Sequence, residues 1–103
     1  MTATRISIVI PTRHRPELLC RAVKSALICC GSEDEIVVVS DHDPTTQQTL
    51  SEMTDPRVRL IENNTRSGAS ATRNLGVASA HGHTVLFLDD DDELQGGYIS
   101  NIL

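Results

Sequence analysis

Four short apolar runs punctuate the chain: Ile6–Ile10, Glu35–Val39, Val58–Ile61 and Thr84–Leu88. Each is short and rich in β-branched residues, as buried strands are. They predict strands buried on both faces. Between them the period changes. Leu18, Leu19, Ala22, Val23, Ala26 and Leu27 follow the three-four spacing of one helix face, from Pro16 at a first helical position to a stop at Gly31. A weaker helix is predicted over Thr45–Met53, ended by Asp55-Pro56, and a third over Ala69–Ala80, with Gly82 beyond it. The tail from Tyr98 to Leu103 reads as a helix just beginning.

Strands separated by helical crossovers imply a parallel sheet with right-handed connections. The predicted fold class is α/β: a three-layer sandwich with a mainly parallel, Rossmann-like sheet of strand order 3-2-1-4. That order places a topological switch point between the first and fourth strands. At 103 residues the chain holds one domain and one core, residues 1–103. Aromatic residues make up only 2% of it, so the core must be built from Val, Ile, Leu and Ala.

Charge narrows the partners. Fourteen acidic residues against nine Lys and Arg give a net charge of −5, which argues against nucleic acid and against a basic membrane patch. Ile6–Ile10 is too short for a signal-peptide core or a membrane span. A cytoplasmic protein is expected, with peripheral membrane attachment open to a longer form. Cys20, Cys29 and Cys30 are odd in number and lack metal-ligand spacing, so they read as small core-filling thiols.

In an open parallel sheet, ligands bind beyond the carboxyl ends of the strands. After the first strand come Pro11, Thr12, Arg13, His14 and Arg15; after the second, Ser40, Asp41, His42 and Asp43; after the fourth, Asp89 to Asp92 and Glu93. One mouth therefore gathers a basic cluster, a carboxylate and an acidic run. Four consecutive Asp repel one another unless a cation or water relieves them. Mg²⁺ or Mn²⁺ takes one or two carboxylates together with substrate phosphates, which suits a run placed at a strand's carboxyl end better than a solvated acidic loop does. Asp41 admits two roles, accepting a hydrogen bond from a base or ribose, or forming a turn. The polar approach to the third helix, Asn63 to Asn74, offers Gly68, Arg73 and free helix N–H groups to an anion. His14, His42, His81 and His83 have no pair at i, i+4 and read as structural or exposed.

Several classes fall away. The segment Asn63–Asn74 lacks Gly-Lys-Ser/Thr and is not a P-loop, and no GxGxxG follows the first strand. Pro11 to Arg15 is too short and Gly-free for a sugar nucleotidyltransferase loop, and supplies no acids for a phospho-acceptor receiver.

Four segments in register resemble the inverting family-two glycosyltransferases of GT-A fold. Ile8 to Arg15 resembles the family's opening strand and Pro-Thr-Tyr-Asn-Arg turn. Ile36 to Asp41 resembles its second strand ending in Asp-Asp-Gly-Ser. Asn63 to Gly76 resembles Asn-x-Gly-x-x-x-Ala-Arg-Asn-x-Gly, and Phe87 to Asp92 resembles Phe-Leu-Asp-x-Asp-Asp. The resemblance implies a nucleotide-sugar donor, typically a UDP-sugar, with an acceptor glycan, lipid or protein. It implies that Thr12 and Asp41 contact the base, that Arg73 lies near the diphosphate or sugar, that Asp89 reaches the ribose or sugar, and that Asp91 ligates the metal. Pro11, Arg13, Arg15, Gly68 and Asp90 complete the expected donor site, with Asp89 as a second metal residue. Arg13 stands where the family has a base-stacking Tyr, Ser40 replaces its first Asp, and His42-Asp43 replace Gly-Ser. The general base belongs to the family's later half and is expected beyond Leu103, so the chain is expected to be a donor-binding N-terminal part, inactive alone. A cut surface of that kind is also expected to favour self-association. A non-catalytic nucleotide-binding module is the alternative.

Overall fold

A computed structural model describes residues 5–64 and 68–93. It contains β1 (Ile6–Thr12), α1 (Pro16–Cys29), β2 (Glu35–Asp41), α2 (Pro44–Ser51), β3 (Val58–Asn63), α3 (Ala69–Ser79) and β4 (Thr84–Phe87). The four strands form one parallel sheet in the order β3-β2-β1-β4, as predicted. The helix predicted over Tyr98–Leu103 lies outside the described residues.

The uniform hydrophobicity of the central strands follows from burial on both faces. Ile6, Ile8 and Ile10 of β1 and Ile36 and Val38 of β2 point to one side, against Leu19, Ala22, Val23 and Ala26 of α1 and Leu50 of α2. Val9, Val37 and Val39 point to the other, against Leu75 of α3. Helices therefore cover both faces and make three layers. α3 lies close because residue 76 is glycine: a Cβ there would sit 2.4 Å from Val9 Cγ1 and 3.0 Å from Val39 Cγ2.

Element ends depart from the pattern where polar chemistry takes over. β1 and β2 run two residues past their apolar runs, through Pro11-Thr12 and Ser40-Asp41, because the ladder continues through the Pro11–Val39 and Thr12–Ser40 pairs. α1 stops two residues before Gly31; Cys30 caps it, its N–H reaching Ala26 O and Leu27 O. Burial and the Asp34 carboxylate push the Cys30 thiol up to about 11, so it stays protonated and unreactive at neutral pH. α2 begins at Pro44 rather than Thr45, because Asp43 caps it, and it ends at Ser51 rather than Met53. α3 ends at Ser79, one residue early.

The amino end of the sheet is closed by buried Glu35, which accepts from Ser7 Oγ (2.5 Å), His81 N–H (2.7 Å) and Arg59 Nε (3.0 Å). Burial opposes its charge, but these donors outweigh it and hold the carboxyl below its usual range. His81 is thereby tied into the sheet, on the side away from the acidic run. Among the described residues no helix is long and apolar enough to cross a membrane.

Candidate functional site

β1 lies between β2 and β4, and the helices of the crossovers on its two sides cover opposite faces of the sheet, α1 and α2 one and α3 the other. That divergence opens a cleft of about 420 Å³ at their carboxyl ends. Pro11, Thr12, Arg13, Arg15, Asp41, Arg73, Asp89, Asp90 and Asp91 all line it. Of the residues singled out from sequence, Gly68 does not line it. Its backbone N–H instead donates to Asp41 Oδ2 at 3.0 Å. Gly68 has φ 109, a conformation open mainly to glycine, which turns the chain into α3.

Asp41 is buried, and that bond uses one of its oxygens; Oδ1 is buried without a hydrogen-bond partner among the described residues. An unpaired buried carboxylate oxygen costs about 1–3 kcal/mol or more unless a donor meets it. Of the two roles open to Asp41, the turn falls to Asp43. Asp43 caps α2 through Thr45 N–H (3.0 Å), accepts from Thr46 Oγ1 (2.8 Å), and crosses to the loop after β1 to take the His14 N–H (2.6 Å). His14 Nδ1 lies 3.1 Å from it as well. Burial works against the Asp43 charge, but the donors from Thr45, His14 and Thr46 outweigh it and lower the carboxyl to about 2. Asp43 thus fixes the loop that presents Arg13 and Arg15. His14 and His42 hold left-handed backbone at φ 54 and φ 51, and His42 occupies the position where the family pattern has Gly.

The acidic run divides its labour. Asp90 turns inward: it is buried, accepts from Thr12 Oγ1 at 2.8 Å and from Arg15 Nη1 at 3.3 Å, and so latches the β4 end to the β1 end. Asp89, Asp91 and Asp92 are exposed and bring one oxygen each within 4.8 Å of one another, a cluster able to hold a cation. Asp92 lies outside the main cleft, in an adjoining recess with Arg73, Phe87, Leu88 and Asp89. Arginines flank the cluster: Arg73 Nη2 is 3.6 Å from Asp89, and Arg15 Nη1 is 3.7 Å from Asp91. No ion pair is seen for Arg13 among the described residues.

The roles of two residues escaped the sequence reading. Thr72, buried in the first turns of α3, lines the cleft and donates to Gly68 O at 2.8 Å. Asp43 was legible as Asp-Pro-Thr-Thr, a cap residue before a proline at the first helical position.

An open, parallel α/β sheet with polar chemistry at its switch point is a nucleotide-binding fold. Residues 7–103 match Glycosyl transferase family 2, and the chain belongs to that family. It is 40% identical over 91 residues, 85% of its length, to a protein of Escherichia coli (strain K12) named for colanic acid biosynthesis, the glycosyl transferase WcaA. It is 33% identical over 103 residues, 96% of its length, to the GalNAc(5)-diNAcBac-PP-undecaprenol beta-1,3-glucosyltransferase of Campylobacter jejuni. The chain spans 33% of the length of each. Its fold matches S. aureus TarS 1-349, crystallised in complex with UDP, with TM-score 0.85 and 24% identity over 95% of this chain and 30% of that one.

Proposed function

We propose that this chain forms the donor half of a glycosyltransferase, binding a UDP-sugar with a divalent cation, Mn²⁺ or Mg²⁺, for transfer to an acceptor hydroxyl on a glycan, lipid or protein. The observation that carries the reading is Asp41 Oδ1, a buried acceptor unpaired among the described residues, in a cleft that also holds three arginines and two members of the acidic cluster. With Oδ2 bonded to Gly68, Oδ1 is the oxygen left to be met, and it suits the N3–H donor of uracil. A base with an unprotonated nitrogen there, such as cytosine, meets lone pair with lone pair. TarS, of the same fold, was crystallised with UDP.

In this reading the Arg13 guanidinium stacks on the base, while Arg15 and Arg73 meet the diphosphate in their fork geometry. The exposed carboxylates of Asp89 and Asp91 would hold the cation, which would supply positive charge to the diphosphate leaving group. Thr12 and Asp90 keep the base end and the cation end of the cleft in fixed relation. The mixed signs of the cleft fit this assembly, since an acidic run alone would repel the donor. Residues 1–103 then constitute one unit of donor recognition.

Calorimetric titration of UDP into the chain tests the proposal. Mn²⁺-dependent binding is expected, most of it lost in EDTA and in Asp91→Ala, with a smaller loss in Asp92→Ala, which lies off the main cleft. Affinity indifferent to Mn²⁺ and to both substitutions would remove the cation site.

A further inference from the structure

Asp89 and Asp91 each have two claims on their charge. Both contribute an oxygen to the cluster with Asp92. Both also face a guanidinium, at 3.6 Å from Arg73 and 3.7 Å from Arg15. Among the described residues Asp92 has no ion pair, so the arginines sit on the two members that line the main cleft. Asp41 Oδ1, buried in that same cleft and unpartnered among the described residues, independently points to a ligand there.

The two claims differ greatly in strength. These are long contacts between exposed groups, of a kind worth about 0.2–1 kcal/mol each. A hard divalent ion binds carboxylate oxygen directly, at about 2.0–2.2 Å, and draws the charge far more strongly. A guanidinium displaced from its carboxylate then needs another anion close by. Arg15 is held in place by its second contact, to buried Asp90 at 3.3 Å. Arg73 is held on α3, beside Thr72, which also lines the cleft. Both therefore remain at the cleft wall when their exposed partners are taken.

We propose that Arg15 and Arg73 are exchange residues: they neutralise Asp91 and Asp89 until a divalent cation takes those carboxylates, and then turn to the diphosphate of the nucleotide. This rests on the donor-site reading above and adds a coupling to it. Cation alone must outcompete two arginines that gain nothing in return. Cation with a nucleoside diphosphate gives both arginines a new partner. The two ligands then help each other by more than the direct cation–phosphate contact, and Arg15 and Arg73 act as positioning residues for the acidic cluster.

The test is calorimetric titration of Mn²⁺ alone, then of UDP at saturating Mn²⁺, on the 103-residue chain and its Arg15→Gln and Arg73→Gln variants. Mn²⁺ alone is expected to bind about two- to fivefold tighter in each variant, the equivalent of one exposed ion pair removed, while UDP binds more weakly. Arg→Lys at either position restores the competing charge without the fork, so Mn²⁺ returns to the wild-type affinity and UDP recovers only in part. Arg21→Gln controls for loss of a nearby positive charge, because Arg21 pairs with Glu93 outside the cluster; its Mn²⁺ affinity should stay within about twofold of wild type. Mn²⁺ affinity that is unchanged or weaker in both glutamine variants overturns the exchange, and so does equal tightening in Arg21→Gln. A wild-type chain that binds neither Mn²⁺ nor UDP overturns the donor-site reading itself, an outcome distinct from wild-type binding with unshifted variants.

Discussion

Asp43 offers the sharpest test of how the cleft is held open. Replacing it with Ala removes the cap of α2, strands the buried Thr46 hydroxyl, and frees the loop carrying Arg13 and Arg15 by deleting the acceptor of the His14 N–H. Loss of an N-terminal Asp cap costs about 1 kcal/mol, within a range of 0.5–2. Each hydrogen-bonding group left without its partner adds about 1 kcal/mol. The expected loss is roughly 2–4 kcal/mol, which for a domain of this size lowers Tm by roughly 10–25 °C. Urea denaturation at pH 7 measures it. The pH dependence gives an independent check. The folded-state carboxyl is lowered to about 2, below its ordinary value of 3.8. Its contribution to stability is therefore fully present above that ordinary value and is lost as pH falls toward 2. The stability difference between wild type and Asp43→Asn should shrink over that window. A cost for Asp43→Ala below about 0.5 kcal/mol, the level of an ordinary surface substitution, would refute the reasoning. So would a wild-type to Asn difference that does not change between pH 4 and pH 2.

Other predictions follow from the packing and the cleft. Gly76→Ala should destabilise by about 1–3 kcal/mol despite the better helix propensity of Ala, because the new methyl meets Val9 at 2.4 Å; thermal denaturation reads this, and a rise in Tm would contradict it. Arg13→Ala should weaken UDP binding by about fivefold, from the loss of roughly 1 kcal/mol of stacking, while Arg13→Tyr should retain it; calorimetry distinguishes the two, and equal losses would show that Arg13 does not face the base. Asp90→Ala should weaken Mn²⁺-dependent UDP binding although Asp90 lies outside the oxygen cluster, because it severs Thr12 and Arg15 from the β4 end. Unchanged binding in that variant would dispense with the latch.

Much of this was legible in the chain because its signals are local and repeated. Four β-branched runs with helical periodicity between them leave few topologies once crossovers must be right-handed, and the observed order β3-β2-β1-β4 is the one that produces a switch point beside the acidic run. The residues after β1, β2 and β4 meet because parallel strands deliver all their carboxyl ends to one edge. What the pattern could not convey was direction. Asp89 to Asp92 are identical in sequence, yet one is buried against Thr12 and Arg15 and three face outward. Asp41 and Asp43, two residues apart, likewise divide into a carboxylate with an oxygen unpaired among the described residues and a saturated cap, which depends on where Gly68 and His14 come to lie. The ends of β1, β2 and β3 were underestimated because hydrophobicity stops before the ladder does, Thr12 and Ser40 still pairing, whereas β4 ends at Phe87, one residue before its apolar run does. Thr72 went unnoticed because its role needs the turn at Gly68 beneath it.

The central claim is that Asp41 Oδ1, unpaired among the described residues, selects a uracil nucleotide in this cleft. Affinities of the chain for UDP, N3-methyl-UDP and CDP, each at saturating Mn²⁺, test it most directly, with Asp41→Ala titrated alongside. Leaving a buried acceptor unmet costs about 1–3 kcal/mol, so UDP should bind wild type at least about fivefold tighter than either analogue. In Asp41→Ala that preference should disappear and UDP should weaken toward the analogues. Equal affinity of wild type for all three nucleotides, or a preference for UDP that survives in Asp41→Ala, would contradict the account.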